Sequence, residues 1–341
     1  SGILAIFESI ARKKPTVFFL EDLHWADPSS TELFSRSCLE LQYPAVVICA
    51  YRPPFRLFSE DQKEIIGKDY HEIQLENLPQ SKIKDMLESL LNTKSVPPEL
   101  ERWIHEKAEG NPFYLEELIN SLVESNTLIC KNENWKLSKA IADLEIPPSI
   151  DSVISSRIDR LEARAKQLLQ EASVIGRDFL YEILKRITNI KYHIDGELDA
   201  LVRLDIIRTL FKQPDLEYMF KHALTQESVY SGLLKKERRR IHTQIAEVIE
   251  SLFDNRLSEF YETLAFHYAH SNSTTKAVTY LVKAGEKSLA RYSVGEAHHY
   301  FKQAYDILSS KKEISETDKT QLIDVINNWS YAYYYSGEIE E

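Results

Sequence analysis

The residues best placed to do chemistry follow an apolar run. Val17-Phe18-Phe19-Leu20 stops abruptly at two carboxylates, Glu21 and Asp22. A buried strand holds its backbone rigidly, and acids leaving its carboxyl end lie where ligands bind in open α/β sheets. One such acid can hold Mg²⁺, directly or through water, and the next can orient an attacking water. The same residues also read as a strand followed by a polar turn. Other groups offer less. His267 and His270 share a helix face, as metal ligands would, but no third ligand is evident. His298 and His299 are adjacent and point apart on a helix. Lys235-Lys236 with Arg238-Arg239-Arg240 is a basic run that reads as a solvated face, with DNA contact the minority reading. No GxSxG or other nucleophile context is present.

The elements that must position these residues change character along the chain. Over the first 80 residues, short β-branched runs alternate with helical patterns, as in a buried parallel sheet. A second apolar run, Ala45-Val46-Val47-Ile48-Cys49-Ala50, ends in Tyr51-Arg52-Pro53-Pro54. Asp27-Pro28 with Ser29, Ser30 and Glu32 gives a helix start. A third short strand is predicted at 71–75. From Ser81 the pattern becomes helical, with Gly110-Asn111-Pro112 as an interruption and a hairpin predicted around Lys131-Asn132-Glu133-Asn134. Pro147-Pro148 marks a boundary.

Beyond it, three amphipathic stretches (150–161, 165–175 and 180–187) precede two strand-like runs around Gln213-Pro214-Asp215, and a long helix from about Leu233 to Phe253 follows. The remainder is helical. Ala277-x-x-Tyr280-x-x-x-Ala284 recurs as Ala297-x-x-Tyr300-x-x-x-Ala304, an offset of 20 residues. That is too short for a 34-residue tetratricopeptide unit, so it relates successive helices of a stacked array.

Composition narrows the classes. The chain has 341 residues and a formal net charge of −11, which suggests two or three domains and argues against a general nucleic-acid coat protein. Only nine glycines occur, and none forms GxxxxGK[ST] or GxGxxG; Gly67-Lys68 is followed by Asp69 and has Gln62 where the first glycine would stand. Cys38, Cys49 and Cys130 are too few and too scattered for a disulfide framework or a CxxC knuckle, which favours a reducing, cytoplasmic setting. No apolar run approaches a membrane span, and no signal peptide is seen. The chain opens on Ser1 and is expected to begin inside a domain.

Four stretches in order carry a family resemblance: VFFLEDLHWADPSS, VVICAYRPPF, EGNPFYLEEL, and FKHALTQESVYSGLLKKERRRIHTQIAEVIE. Together they closely resemble the STAND-type P-loop ATPases of the AAA+ and NACHT kind. The branch is the one attached to bacterial adenylate and guanylate cyclases, protein kinases and LuxR-type regulators. The eukaryotic soluble adenylyl cyclase carries a similar region. The resemblance implies an α/β fold followed by mostly α: part of a P-loop NTPase core with Walker B (1–79), a helical lid (80–148), a winged-helix domain (149–253) and the start of tetratricopeptide-like repeats (254–341).

Carried over by position, the resemblance puts Glu21 at the magnesium site of Walker B and Asp22 at the water-positioning site. Many members have Asp where this chain has Glu21. Arg52 matches the sensor that reads the γ-phosphate, a task suited to a fixed charge with five donors; the alternative is a surface arginine before a proline turn. Gly110-Asn111-Pro112 resembles the GxP element near the adenine, or is an ordinary helix break. His222 falls where a winged-helix histidine faces the β-phosphate of ADP, or is a partly buried histidine satisfied by backbone. His24, Trp25 and Asp27 belong to the recognisable string without an individual role.

The implied function is a nucleotide-dependent switch with ATP/ADP and Mg²⁺ as cofactors. An effector (cyclase, kinase or transcription regulator) is expected upstream in the same chain, and a protein partner or small-molecule signal at the repeats. Assembly on activation is a family-level expectation, and neither membrane nor nucleic acid is an expected partner. Without the phosphate-cradling glycine loop, this stretch is expected to bind nucleotide weakly or not at all by itself. The alternative is a non-hydrolysing helical-repeat scaffold that binds protein partners.

Overall fold

The computed structural model describes residues 2–131, 134–138, 149–190, 193–211, 216–311, 313 and 315–336. The turns predicted around Asn132-Glu133 and Gln213-Pro214-Asp215, and the Pro147-Pro148 boundary, lie outside the described residues. The chain divides into two units, Ser1–Leu75 and Glu76–Glu341.

In the first unit, β1 (Thr16–Leu20) pairs in parallel with β2 (Ala45–Cys49), in register Thr16↔Ala45 through Leu20↔Cys49. Helix α1 (Gly2–Ala11) precedes them, and its Phe7 ring stacks 4.1 Å from Phe18. Helix α2 (Pro28–Glu40) connects the strands; Asp27 caps it by accepting from the Ser30 amide at 2.8 Å, and Pro28 suits the first turn. Helix α3 (Glu60–Ile66) opens with a reciprocal capping box between Ser59 and Gln62. Leu23, Leu57 and Phe58 form the buried centre of this unit.

Alternation along the strands sends Phe18, Leu20, Val47 and Cys49 one way and leaves the other face open. Val17 and Phe19 are 62% and 59% exposed, and their register partners Val46 and Ile48 are 57% and 47% exposed. Parallel sheets are ordinarily covered on both faces.

The strand predicted at 71–75 is absent. Those residues form no ladder, and Ile73 and Leu75 project into solvent. An apolar–polar alternation becomes a strand only where a neighbour can take its hydrogen bonds. Here the segment pairs with no strand.

Among the described residues, the second unit holds two large buried cores and a small third cluster of Ala297, Phe301 and Ala332. The first gathers α4 (Gln80–Leu90), α5 (Pro98–Ala108), α6 (Pro112–Glu124) and the hairpin β3 (Leu128–Lys131) and β4 (Asn134–Leu137), with Ile83, Leu87, Leu100, Ile104, Leu115 and Leu118 fully enclosed. Trp135 Nε1 donates to the Leu91 carbonyl at 2.9 Å and pins the hairpin to the end of α4.

The second core begins with α7 (Ile150–Asp159), α8 (Ala163–Ile175), α9 (Tyr181–Ile187) and α10 (Ile194–Arg203). They pack with an antiparallel sheet of β5 (Asp178–Leu180), β6 (Ile207–Phe211) and β7 (Glu217–Phe220) in the order β5-β7-β6. Then come α11 (Ala223–Gly232), α12 (Lys235–Leu252), α13 (Tyr261–Ala269), α14 (Thr274–Ala290), α15 (Val294–Ser309) and α16 (Glu316–Ser336). Ala277, Ala284, Ala297 and Ala304, the small residues of the 20-residue echo, are all buried where these helices meet. A Cβ on Gly285 would stand 2.6 Å from the Phe301 ring, so this side chain of α15 packs directly on the backbone of α14.

Helix α7 belongs to both cores. Val153 joins the first, Ile154 and Ile158 the second. At the seam sits Arg157, only 5% exposed. It donates to Glu117 at 2.6 Å and, through Nε, to Glu124 at 3.0 Å, and it also reaches the Leu204 carbonyl. Burial opposes its charge, but hydrogen bonds and Coulomb attraction from Glu124 and Glu117 outweigh it and raise the Arg157 pKa.

Candidate functional site

The register of β1 and β2 delivers three predicted residues to one sheet edge. Glu21 follows Leu20, the last residue of β1, and Arg52 lies three positions past Cys49, the register partner of Leu20. The ladder continues past both strands: the Ala50 amide donates to the Leu20 carbonyl at 2.8 Å, and the Leu23 amide to the Ala50 carbonyl at 3.1 Å. Ala50 thus brackets Glu21-Asp22 between two fixed points. Asp22 adopts the left-handed conformation, φ 57°, which Asp tolerates better than most residues, and heads the short helical turn Leu23–Trp25. Leu23 is buried under this turn while Trp25 is exposed. Both ring nitrogens of His24 are buried with no hydrogen-bond partner.

Glu21 and Arg52 are exposed, and Asp22 is half-buried. Carboxylate oxygens suit a hard divalent cation, and a guanidinium suits phosphate oxygens. The donors gathered at this edge therefore fit a magnesium-bound nucleotide.

The second unit assembles the other predicted residues. Helix α5 stops at Glu109 and Gly110, both with positive φ, and α6 starts at once with Asn111 accepting from the Tyr114 amide at 3.1 Å. Gly110 is required here. Its φ is +78°, an added Cβ would lie 2.5 Å from the Leu78 carbonyl oxygen, and its own carbonyl accepts from the Leu78 amide at 2.7 Å. Gly110→Ala is expected to cost about 1–3 kcal/mol, the range for a side chain forced into such a backbone. Thermal melting of the variant, with limited proteolysis of the 77–79 segment, checks it.

His222 packs against the first turn of α6. Its ring centroid is 4.2 Å from that of Phe113, and its Nε2 lies 3.8 Å from Glu116 Oε2. Lys221 holds the same carboxylate at 2.6 Å and also pairs with Asp205. The His222 Nε2 is buried and without a hydrogen-bond partner, and burial lowers its pKa. In this arrangement the Phe113 ring and the Glu116 carboxylate both lie beside the His222 ring.

The histidines set aside as a pair turn out to be three. His242, on α12, places its Nδ1 2.9 Å from His267 Nδ1, and its ring centroid 5.3 Å from that of His270. The Tyr230 hydroxyl meets His242 Nε2 at 3.1 Å. Two facing Nδ1 atoms can share only one proton, so at least one of these rings is neutral. Among the described residues, no group of three or more His, Cys, Asp or Glu is arranged to hold a metal ion.

The remaining candidates have structural partners. His298 accepts from Trp329 Nε1 at 2.8 Å, and His299 pairs with Gln303, so the two do point apart. Arg240 is paired with Glu237, and Arg238 lies over the Tyr230 ring, which leaves the basic run a largely solvated face.

Comparison with known proteins finds one family model over part of the chain and several distant relatives. Residues 79–134 match a family model described as a domain of unknown function, DUF8739. The chain is 21% identical over 349 aligned residues to an uncharacterized protein of Rhizobium meliloti, covering 95% of this chain and 31% of that protein. It is 23% identical to the peroxide stress-activated histidine kinase mak2 of Schizosaccharomyces pombe, covering 78% of this chain and 12% of the kinase. It is 22% identical to adenylate cyclase type 10 of Rattus norvegicus, covering 72% of this chain and 18% of the cyclase. The chain therefore spans about a third or less of the curated relatives it matches.

Among solved structures, a Signal Transduction ATPase with Numerous Domains from Pyrococcus horikoshii, with a tetratricopeptide repeat sensor, aligns over 99% of this chain and 55% of its own. The TM-score is 0.47 and the identity 13%. No helix among the described residues is long and apolar enough to cross a membrane.

Proposed function

We propose that this chain is part of a multidomain signalling ATPase in which bound nucleotide sets the state of an attached effector. The observation that carries the reading is the carboxyl-terminal end of the paired β1 and β2, just past which Glu21, Asp22 and Arg52 follow. Glu21 and Asp22 would hold Mg²⁺ and a water, and Arg52 would meet the terminal phosphate. When bound, the nucleotide supplies a cleavable phosphoanhydride; the chain's own residues bind, orient and neutralise charge. The uncovered face of Val17, Phe19, Val46 and Ile48 supports a first unit that belongs to a larger nucleotide-binding core. In the second unit, the reading assigns 80–148 to a helical lid, 149–253 to a winged-helix domain and 254–341 to sensor repeats, with Gly110-Asn111-Pro112 and His222 as candidate nucleotide contacts. The kinase and the cyclase among the relatives support a signalling role and an effector in the same protein, and the reading takes the setting to be cytoplasmic.

The test is ATP hydrolysis by the full-length protein. Asp22→Asn and Arg52→Ala are each expected to lower the turnover rate by about 100-fold or more, as expected when a group acting on the reacting water or phosphate is removed. Unchanged rates in both variants overturn the site assignment. A parent protein with no hydrolysis at all transfers the function to the helical repeats, as a scaffold for protein partners.

A further inference from the structure

Helices α14 and α16 flank a groove with a volume of about 220 Å³. Buried Val278 and half-buried Val282 give it an apolar lining from α14. Glu286 from α14 and Asp324 from α16 line it as well, and both are exposed. Gln321, one turn before Asp324, keeps its amide nitrogen 3.4 Å from Thr279 Oγ1, while its side-chain carbonyl oxygen is buried with no hydrogen-bond partner.

The charges lining this groove are not paired with one another. Nearby, Glu250, Glu262 and Asp318 hold Lys276, Lys287 and Lys311. Lys283 precedes Glu286 by three residues, close enough on a helix for an ion pair. Its ammonium instead lies over the rings of Tyr261 and Tyr280, 5.4 and 5.2 Å from their centroids. Among the described residues, neither Glu286 nor Asp324 has an ion-pair partner.

We propose that this groove takes one arginine side chain from a partner protein. The space is smaller than the ~300–1,000 Å³ of sites that enclose whole small molecules, so it admits a side chain and leaves the main chain that carries it outside. The apolar stem of the arginine would lie on Val278 and Val282, and its guanidinium would meet the carboxylates offered by the two helices. Acceptors spread over α14 and α16 suit a planar fork of five N–H donors better than the compact ammonium of lysine. A donor seated there also relieves the Gln321 carbonyl once the amide turns about its soft last torsion. The net charge of −11 favours a basic partner in general. The groove rests on the functional reading above only for calling its occupant a signal to the repeats; its chemistry stands on α14 and α16 alone.

The experiment titrates the protein, without nucleotide and at low salt, with N-acetyl-arginine methylamide, and follows the valine methyl signals by NMR. Saturable shifts at Val278 and Val282 are expected, with half-saturation near about 1 mM, a scale suited to one charged side chain. Capped citrulline, of nearly the same shape and uncharged, should leave them unmoved, and capped lysine should bind more weakly. Glu286→Gln and Asp324→Asn should each weaken the arginine analogue by about tenfold, the loss of one charge-assisted hydrogen bond. Far-UV circular dichroism checks that both variants are folded; if either is not, the comparison of the three analogues on the parent protein decides alone. Absent shifts overturn the proposal, as do citrulline or lysine binding as tightly as arginine, or folded variants that bind like the parent. Tighter binding of free arginine than of the capped form also overturns it, because the occupant would then be a small molecule. Nucleotide is absent throughout, so none of these results bears on the hydrolysis of ATP.

Discussion

Arg157→Met is expected to lower the stability of the second unit by about 3–5 kcal/mol, the cost of removing one partner from a buried ion pair. The substitution keeps the apolar stem and removes the guanidinium, leaving Glu117 and Glu124, both on α6, without their shared cation at the seam between the two cores. Glu117 is nearly fully enclosed and cannot turn to water. The Leu204 carbonyl also loses its donor. Urea unfolding followed by far-UV circular dichroism measures the effect as a lower midpoint. The triple variant Arg157→Met, Glu117→Gln, Glu124→Gln is expected to recover much of it, because replacing all the charges together leaves none unpaired. An unchanged midpoint in the single variant would show that the seam is held by apolar contact alone.

Acid should weaken the same unit well above the range where carboxylates titrate. Burial, with the positive fields of His270 and Arg238, pushes the His242 pKa down to about 4. Burial, with His242 and His270 beside it, pushes His267 down to about 3. The folded state therefore prefers these rings neutral, and the unfolded chain binds their protons first. Stability is fully present above the ordinary histidine value of 6.5 and is lost as pH falls from there toward 4. The slope is about 1.4 kcal/mol per pH unit for each histidine. His222, lowered by burial, adds in the same direction. Urea midpoints measured from about pH 7 to about pH 5 should fall steadily. A flat profile would mean that the α12–α13 contact accepts the charge, and would sink the argument.

What the sequence disclosed follows from how local each feature is. The apolar runs that became β1 and β2, the Asp27-Pro28 start of α2 and the Gly110-Asn111-Pro112 break are written in neighbouring residues, and the structure has them. The alternation at 71–75 misled because a strand also needs a partner, which no local pattern supplies. Helix α10 went unnamed although its face is regular, with Ile194, Leu198 and Leu201 buried. The carboxylates and Arg52 were legible because both follow directly from apolar strands.

The features with the largest predicted energies were not legible. Arg157 meets Glu117 and Glu124 across 40 and 33 positions, and His242 meets His267 across 25, with a different helix supplying each member. Such groups are brought together by packing and leave no period or spacing to read.

The contact at Gly285 has a geometric consequence for whatever follows it. Phe301 occupies the space a methyl on Gly285 would need, so this contact between α14 and α15 depends on the missing side chain. In stacked helices each pair contacts only its neighbours, so each inherits its bearing from the pair before. A wedge placed at this one position would act like a shim under the first step of a spiral stair: the local shift is small, and the far end points somewhere else.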